Sequence, residues 1–451
     1  MKQSVRVVTL ELNELDFELV QQYVRDGRLP TLKRLLESHD LVRTVAESEL
    51  SNLEPWIQWV TAHTGLTFSQ HGVFRLGDIV SREVPQVWEI LEDRFGLHVG
   101  AISPMNAKNR LKRPAFFVPD PWTQTAIVGS WDLRLLTEAV VQAVNDNAHN
   151  RITLGSYLRL AVGALANMRP ENLVRYGDLA VTSRTRKWRK ALFLDLLLSD
   201  AFIRHWHTSK PDYASLFLNA GAHIQHHYMF SSKHYRGPLR NPRWYIAEGL
   251  DPVEEAYLLY DRILENVLSA LTDVRLLVCT GLSQKPNTRL VHYYRPKQHA
   301  ELLRMLGVAD FVDVQPRMSR DFLVLFKSED AALAAQKVIE SFRGEDGSEI
   351  FSVENRGKTL FCMLSYTSDI QPGFSITGNG RKIERFRDMV SHVSIENAIH
   401  RTVGYFLDSG VPRTGATEPI PLADVFKHTV SIWGTPLRTA SCVEDYVVVR
   451  S

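Results

Sequence analysis

The strongest constraint on this chain is a set of short runs that are apolar on both faces, each followed by polar residues. Val5 to Leu12 reads VRVVTLEL, His98 to Ile102 reads HVGAI, and Arg275 to Thr280 reads RLLVCT. Leu216 opens a fourth, LFLNAGAHIQHHYMF, which runs to Phe230. A strand with one face in water alternates apolar and polar residues, whereas a strand covered on both faces does not. Between the runs, Asp16 to Arg25, Thr31 to Glu37, Gln86 to Phe95, Ala191 to Trp206 and Pro252 to Leu271 carry helical spacing. Buried strands separated by helices predict an α/β fold, a mostly parallel central sheet with helices on both faces.

At 451 residues the chain is too long for one compact core, so insertions into the sheet framework are expected. The pattern divides it into a first core part (1–132), a helical cap (133–207), a second core part (208–314), a small α+β insertion (315–366) and a C-terminal core part (367–451). The cap is basic, above all along RTRKWRK from Arg184 to Lys190. Such a run draws in an anionic substrate or an anionic lipid surface. The insertion reads strand, helix, strand, strand, with a turn at Asn355-Arg356-Gly357. The Gly-rich stretch from Gly373 to Gly380 precedes a further helix and then His400-Arg401-Thr402-Val403-Gly404.

A net charge of +2 exerts no pull toward nucleic acid. Cys279, Cys362 and Cys442 form neither a disulfide framework nor a zinc-knuckle spacing, which fits a reducing compartment. No signal-like apolar segment opens the chain, and no window reaches ~18 uninterrupted apolar residues. A cytoplasmic protein with at most peripheral membrane contact is expected. Neither a P-loop nor a dinucleotide Gly fingerprint is present.

Side chains just beyond the carboxyl end of a buried strand face the crevice of an α/β sheet and not its core. The fourth run places His223, His226 and His227 there. If that segment winds into a helix, histidines three or four apart share a face, as a metal requires. Asn13 and Glu14 end the first run, where a polar pair serves either a site or a helix cap. Glu54-Pro55-Trp56 opens a helix that Gly65 closes, and Gln70-His71-Gly72-Val73 follows. Glu54 is a candidate ligand or general base.

Taken in order, these pieces resemble the alkaline phosphatase superfamily, and within it the type I phosphodiesterase/nucleotide pyrophosphatase branch. Leu12-Asn13-Glu14-Leu15-Asp16 is similar to the family's first-strand stretch, and Gly27-Arg28-Leu29-Pro30-Thr31-Leu32 to its G-x-L-P-N-L. Thr64-Gly65 followed by Gln70-His71-Gly72-Val73 resembles its TG and HG signature. Ala222 to His226 lies where the family has D-x-x-x-H, Gly281-Leu282 where a strand ends in Asp-His-Gly, and His400 with Gly404 matches H-x-x-x-G. The resemblance implies two divalent metals about 4 Å apart that clamp the attacking and leaving oxygens of an ester. Carried across, it implies His226 and His400 as ligands of one metal, with His223 standing in for the Asp replaced by Ala222. Asn13 matches the first-strand Asp of the other metal, and Gly281-Leu282 cannot ligate through side chains. The nucleophile position falls on Leu53, flanked by Ser51, Asn52 and Glu54.

These residues lead to an expectation of one divalent metal, zinc or manganese, drawn from Asn13, His226, His227 and His400, or of a metal-free site. Catalytic roles are expected for Glu14, Glu54, His71 and His223. The expected activity is that of a divergent hydrolase or transferase on a phosphate or sulfate ester or a nucleotide-linked sugar, in glycan or cell-envelope metabolism. Its partner is then an anionic small molecule or glycan, attacked directly by water or an acceptor hydroxyl. The alternative is a non-catalytic protein that holds an anionic ligand or partner in the same cleft.

Overall fold

The computed structural model describes residues 5–47, 53–147, 154–317, 320–415 and 418–434. The first apolar run becomes β1 (Arg6–Leu12), and β2 (Leu41–Val45), β3 (Val99–Ile102), β4 (Phe116–Val118), β5 (Tyr213–Leu218) and β6 (Val274–Cys279) follow. β6, β1, β5, β3 and β4 lie side by side and parallel. The strand Val403–Asp408 runs antiparallel along the outer side of β6, and β2 and the short Ile420–Pro421 complete the sheet.

Strand side chains alternate between faces, so each buried strand feeds two cores. Val8, Leu10 and Leu12 of β1 join Leu216 and Leu218 of β5 in one core. It is covered by α1 (Phe17–Arg25), α2 (Pro30–Ser38) and the long helices Arg189–Ser209 and Pro252–Ala270. Val7, Phe217 and Leu277 point the other way, against α3 (Pro55–Thr64) and the helices Val87–Phe95 and Asp424–Ser431. Each such side chain contributes roughly 1.5–3 kcal/mol by leaving water. A one-residue slip in β1 would drive the buried Glu11 into the first core, so the register is strongly specified.

Local chemistry ends the elements. Asp16 accepts the Glu18 N–H at 2.9 Å and caps α1, while Pro55 opens α3 and Gly65 closes it with φ 71°. The cap consists of the helices Trp131–Asn147, Leu154–Asn167 and Leu173–Thr182, leading into Arg189–Ser209.

The segment before His400 departs from expectation. In place of a helix, Val390–Arg401 is a long strand, paired antiparallel with β7 (Ser283–Pro296) and irregular at His392/Ser394 and Glu396/Ala398. Its β-branched Val390, Val393, Ile395 and Ile399 favour the pleated backbone once a partner strand lies beside them. Beyond this ladder, four antiparallel strands and the helix Glu329–Glu340 form the small α+β unit. Its separate core reaches from Tyr294 to Val390, wider than 315–366, because β7 and the return strand both contribute to it.

Candidate metal centre

Three chain turns meet at the carboxyl ends of β1, β5 and β6. Asn13 and Glu14 follow β1 directly. Their N–H groups donate to the Leu218 and Thr280 carbonyls, both at 3.0 Å, which ties the turn to the neighbouring strands. Glu14 has φ 54°, a left-handed backbone that costs a residue with a Cβ about 1 kcal/mol. Gln225 holds it there by donating to the Glu14 carbonyl at 2.8 Å. Strain maintained by surrounding bonds is common at functional sites.

After β5 the histidine-rich segment winds into a helix, Ala220–Tyr228. Gly221 is required at its start, since a Cβ there would lie 2.9 Å from the Tyr260 ring. Its N–H donates to the Tyr260 hydroxyl at 2.8 Å. The helix carries His226 toward Glu14. The return strand brings His400 to the same place, opposite Gln284 at the head of β7.

His226 Nε2 lies 3.1 Å from Glu14 Oε2 and 3.1 Å from His400 Nε2, and the third side of the triangle, His400 Nε2 to Glu14 Oε2, is 3.3 Å. His226 Nδ1 donates to the Ala398 carbonyl at 2.8 Å, and His400 is bonded to the Leu53 carbonyl. With those N–H groups committed, two imidazole lone pairs and a carboxylate converge on one point. That arrangement calls for a positive charge between them. Burial alone would raise the Glu14 carboxyl, but His400 and His226 hold it well below the usual carboxylate range. Burial would likewise lower His400, yet Glu14, Glu54 and the Leu53 carbonyl lift it to about 9. A divalent cation satisfies the same demand. Ligands of a tetrahedral zinc at about 2.0–2.1 Å lie about 3.3 Å from one another, close to the spacing seen here. The donor set of two imidazoles and a carboxylate fits zinc or manganese.

The surrounding shell is built to hold Glu14. Asn13 donates to Glu14 Oε1 at 3.1 Å and to Asn219 Oδ1 at 2.8 Å, and its own Oδ1 accepts from Trp59 Nε1 at 2.7 Å. Both its amide hydrogens and one lone pair of its oxygen are engaged, so Asn13 lies beside the triad, and it is the Glu14 carboxylate that converges with His226 and His400. Gln284 donates to Glu14 Oε2 at 2.6 Å and to the Ala222 carbonyl at 3.1 Å. It fills the region where Gly281-Leu282 present no ligand.

Three further candidate residues, His71, His223 and His227, lie apart from the triad. His71 is buried beside α3, with Nδ1 accepting from Val73 N–H at 3.0 Å and Nε2 3.3 Å from Thr61 Oγ1. Burial and Arg82 hold it down to about 4, and it serves the Gly72 turn. His227 donates to the Ile395 carbonyl at 3.1 Å, and its ring meets His223 edge-on at 4.8 Å. His223 and His227 therefore pack on each other, one helical turn apart, and neither joins the triad. Glu54 stands at the rim, half-buried, 3.8 Å from His400 Nδ1, its carboxyl raised mainly by burial. Leu53 is buried, and Ser51 and Asn52 lie outside the described residues.

Trp59, Asn219, Gln225 and Gln284 escaped the sequence reading. The available signal was position, since Asn219 and Gln284 each stand within a few residues of a strand's carboxyl end. Next to Asn219, an apolar pocket opens between sheet and cap, lined by Trp122, Leu133, Leu136, Leu194 and Phe217, with Asp195 at its polar end. Burial raises Asp195 to about 6 against the Ala220 N–H and Tyr260 hydroxyl that donate to it.

No protein-family model and no curated protein matches this chain. Among solved structures, it is similar to phosphonoacetate hydrolase from Sinorhizobium meliloti 1021 in complex with phosphonoformate, at 13% identity, 96% of each chain and a TM-score of 0.42. It is also similar to murine ectonucleotide pyrophosphatase/phosphodiesterase 5, whose inactive form is in complex with AMP, at 11% identity, 96% of each chain and a TM-score of 0.43. The human form of that protein gives 11% identity and a TM-score of 0.38.

Proposed function

We propose that this chain is a single-metal hydrolase of the alkaline phosphatase kind, acting on a phosphate or sulfate ester. The observation that carries this reading is the convergence of Glu14 Oε2, His226 Nε2 and His400 Nε2. A divalent ion held by Glu14, His226 and His400 would supply a Lewis acid and, if it is zinc, a bound water that ionises near neutral pH. The chain's own residues do the rest. The Ala398 and Leu53 carbonyls orient the two imidazoles, while Asn13 and Gln284 hold the carboxylate. Glu54, with its raised carboxyl at the rim, accepts the proton of an attacking water or hydroxyl. Leu53 offers no hydroxyl where the resemblance puts the nucleophile, so this reading has water or an acceptor hydroxyl attack directly. The pocket beside Asn219 receives the non-reacting, apolar part of the substrate.

A second reading, a protein that holds an anionic ligand without turnover, draws support from Leu53 and Gly281-Leu282, which supply neither nucleophile nor second metal. Elemental analysis of wild type beside His226→Ala and His400→Ala tests the first reading. We expect about one metal per chain in wild type and loss in both variants. Chromogenic phosphomonoesters, phosphodiesters and sulfate esters then report turnover. Absence of metal from all three proteins would sink the metallohydrolase reading, and a metal-loaded protein that turns over none of the esters would favour ligand holding.

A further inference from the structure

A cleft of about 610 Å³ opens between α1, the segment from His234 to Leu239 and the first residues of β7. It is open and polar, unlike the pocket beside Asn219, and no residue of the triad lines it. Gln284, which does line it, is fully buried, with Nε2 committed to Glu14 Oε2 and the Ala222 carbonyl. Its Oε1 has no hydrogen-bond partner among the described residues. Arg401 lines the cleft from the neighbouring rung of the ladder. Its two terminal nitrogens donate to Glu18 at 3.1 and 2.8 Å, while its buried Nε finds no acceptor among the described residues. Buried polar atoms are rarely left unmet. A hydroxyl both donates and accepts, so a hydroxylated ligand suits an open acceptor and an open donor in one cleft.

The charges of the cleft add a second demand. Asp16 and Glu18 line it, but Arg401 bridges Glu18 and its charge also acts on Asp16. His234 is bonded to Asp26 at 3.0 Å. Lys285 and Arg236 remain, both exposed and both lining the cleft. Neither pairs with a carboxylate among the described residues, and Arg236 donates to the Lys233 carbonyl at 2.7 Å. Two cations without counter-charges, beside groups that want a hydroxyl, suit a ligand that carries both an anionic group and hydroxyls.

We propose that this cleft binds a hydroxylated anion of the sugar phosphate class, its hydroxyls on Gln284 Oε1 and Arg401 Nε and its phosphate on Lys285 and Arg236. The site needs no metal, so it is measured on the full chain after treatment with a chelator and dialysis. Glucose-6-phosphate, ribose-5-phosphate and glycerol-3-phosphate are titrated by calorimetry, with glucose and inorganic phosphate beside them. At least one of the three is expected to bind, and glucose and inorganic phosphate to bind at least about tenfold more weakly than it does. Lys285→Gln and Arg236→Gln, at exposed positions, should each weaken that binding roughly tenfold and leave thermal unfolding unchanged. Absence of binding by all three probes overturns the proposal, as does binding that both variants retain at wild-type strength. Inorganic phosphate that binds as tightly as the sugar phosphates overturns it in favour of an anion site that reads no hydroxyl. A chain that never holds metal can still pass this test, so this proposal and the metallohydrolase reading fail separately.

Discussion

At the scale of single residues, the centre depends on groups that touch no reacting atom. Gln284 restrains Glu14 Oε2, and Trp59 restrains Asn13, which restrains Glu14 Oε1. Gln284→Ala should therefore weaken metal affinity about 10–100-fold while leaving the stoichiometry unchanged at saturation, read by competition with a chromogenic chelator. An affinity equal to wild type would show that Glu14 needs no such restraint. Beneath the centre, Glu11 and His63 pair at 3.1 Å, both 3% exposed, between the sheet and α3. His63→Ala would leave a carboxylate buried without its partner and should cost roughly 3–5 kcal/mol in urea unfolding. A loss under about 1 kcal/mol would mean that water reaches Glu11.

Elements are joined by similar local devices. Asp408 ends the strand Val403–Asp408, where it accepts from Arg275 of β6, from the Gly410 N–H at 2.7 Å and from His428 at 2.5 Å. It so links the sheet to the C-terminal helix. Burial would raise its carboxyl, but Arg275, His428 and the Gly410 N–H hold it below the ordinary range. A carboxyl lowered in the folded state stabilises fully above its unfolded value near ~3.9 and loses that contribution as pH falls. Asp408→Asn should thus cost roughly 3 kcal/mol at neutral pH, and the deficit should shrink below about pH 4. Unfolding at a series of pH values measures this; a deficit independent of pH would assign the loss to packing.

At the scale of the whole molecule, the small α+β unit has a core of its own, joined to the sheet through the ladder of β7 and the return strand. Phe342 is fully buried within it. Phe342→Ala should cost about 3–5 kcal/mol there and accelerate hydrogen exchange in the unit. Metal content should be retained, because His400 and Gln284 sit at the opposite end of the ladder from Val390 and Pro296. Loss of metal in that variant would show that the unit and the centre fold together.

The sequence by itself determined the parallel core, because runs apolar on both faces have no stable place except between two helical layers. It also marked His226 and His400, whose residue type and strand-end positions are legible without coordinates. It left the arrangement of the residues around them open for a physical reason. Whether Asn13 or Glu14 ligates, and whether His223 or His227 faces a metal or another ring, depends on which hydrogen-bond partners are already engaged. Those partners, Trp59, Asn219, Gln284 and the Ala398 carbonyl, come from segments far apart in the chain. The strand before His400 was hidden in the same way, since its pairing with β7 crosses the whole small unit and leaves no local periodicity to read. Local pattern fixes what a segment can bury; only the tertiary structure decides which polar atoms remain free to act.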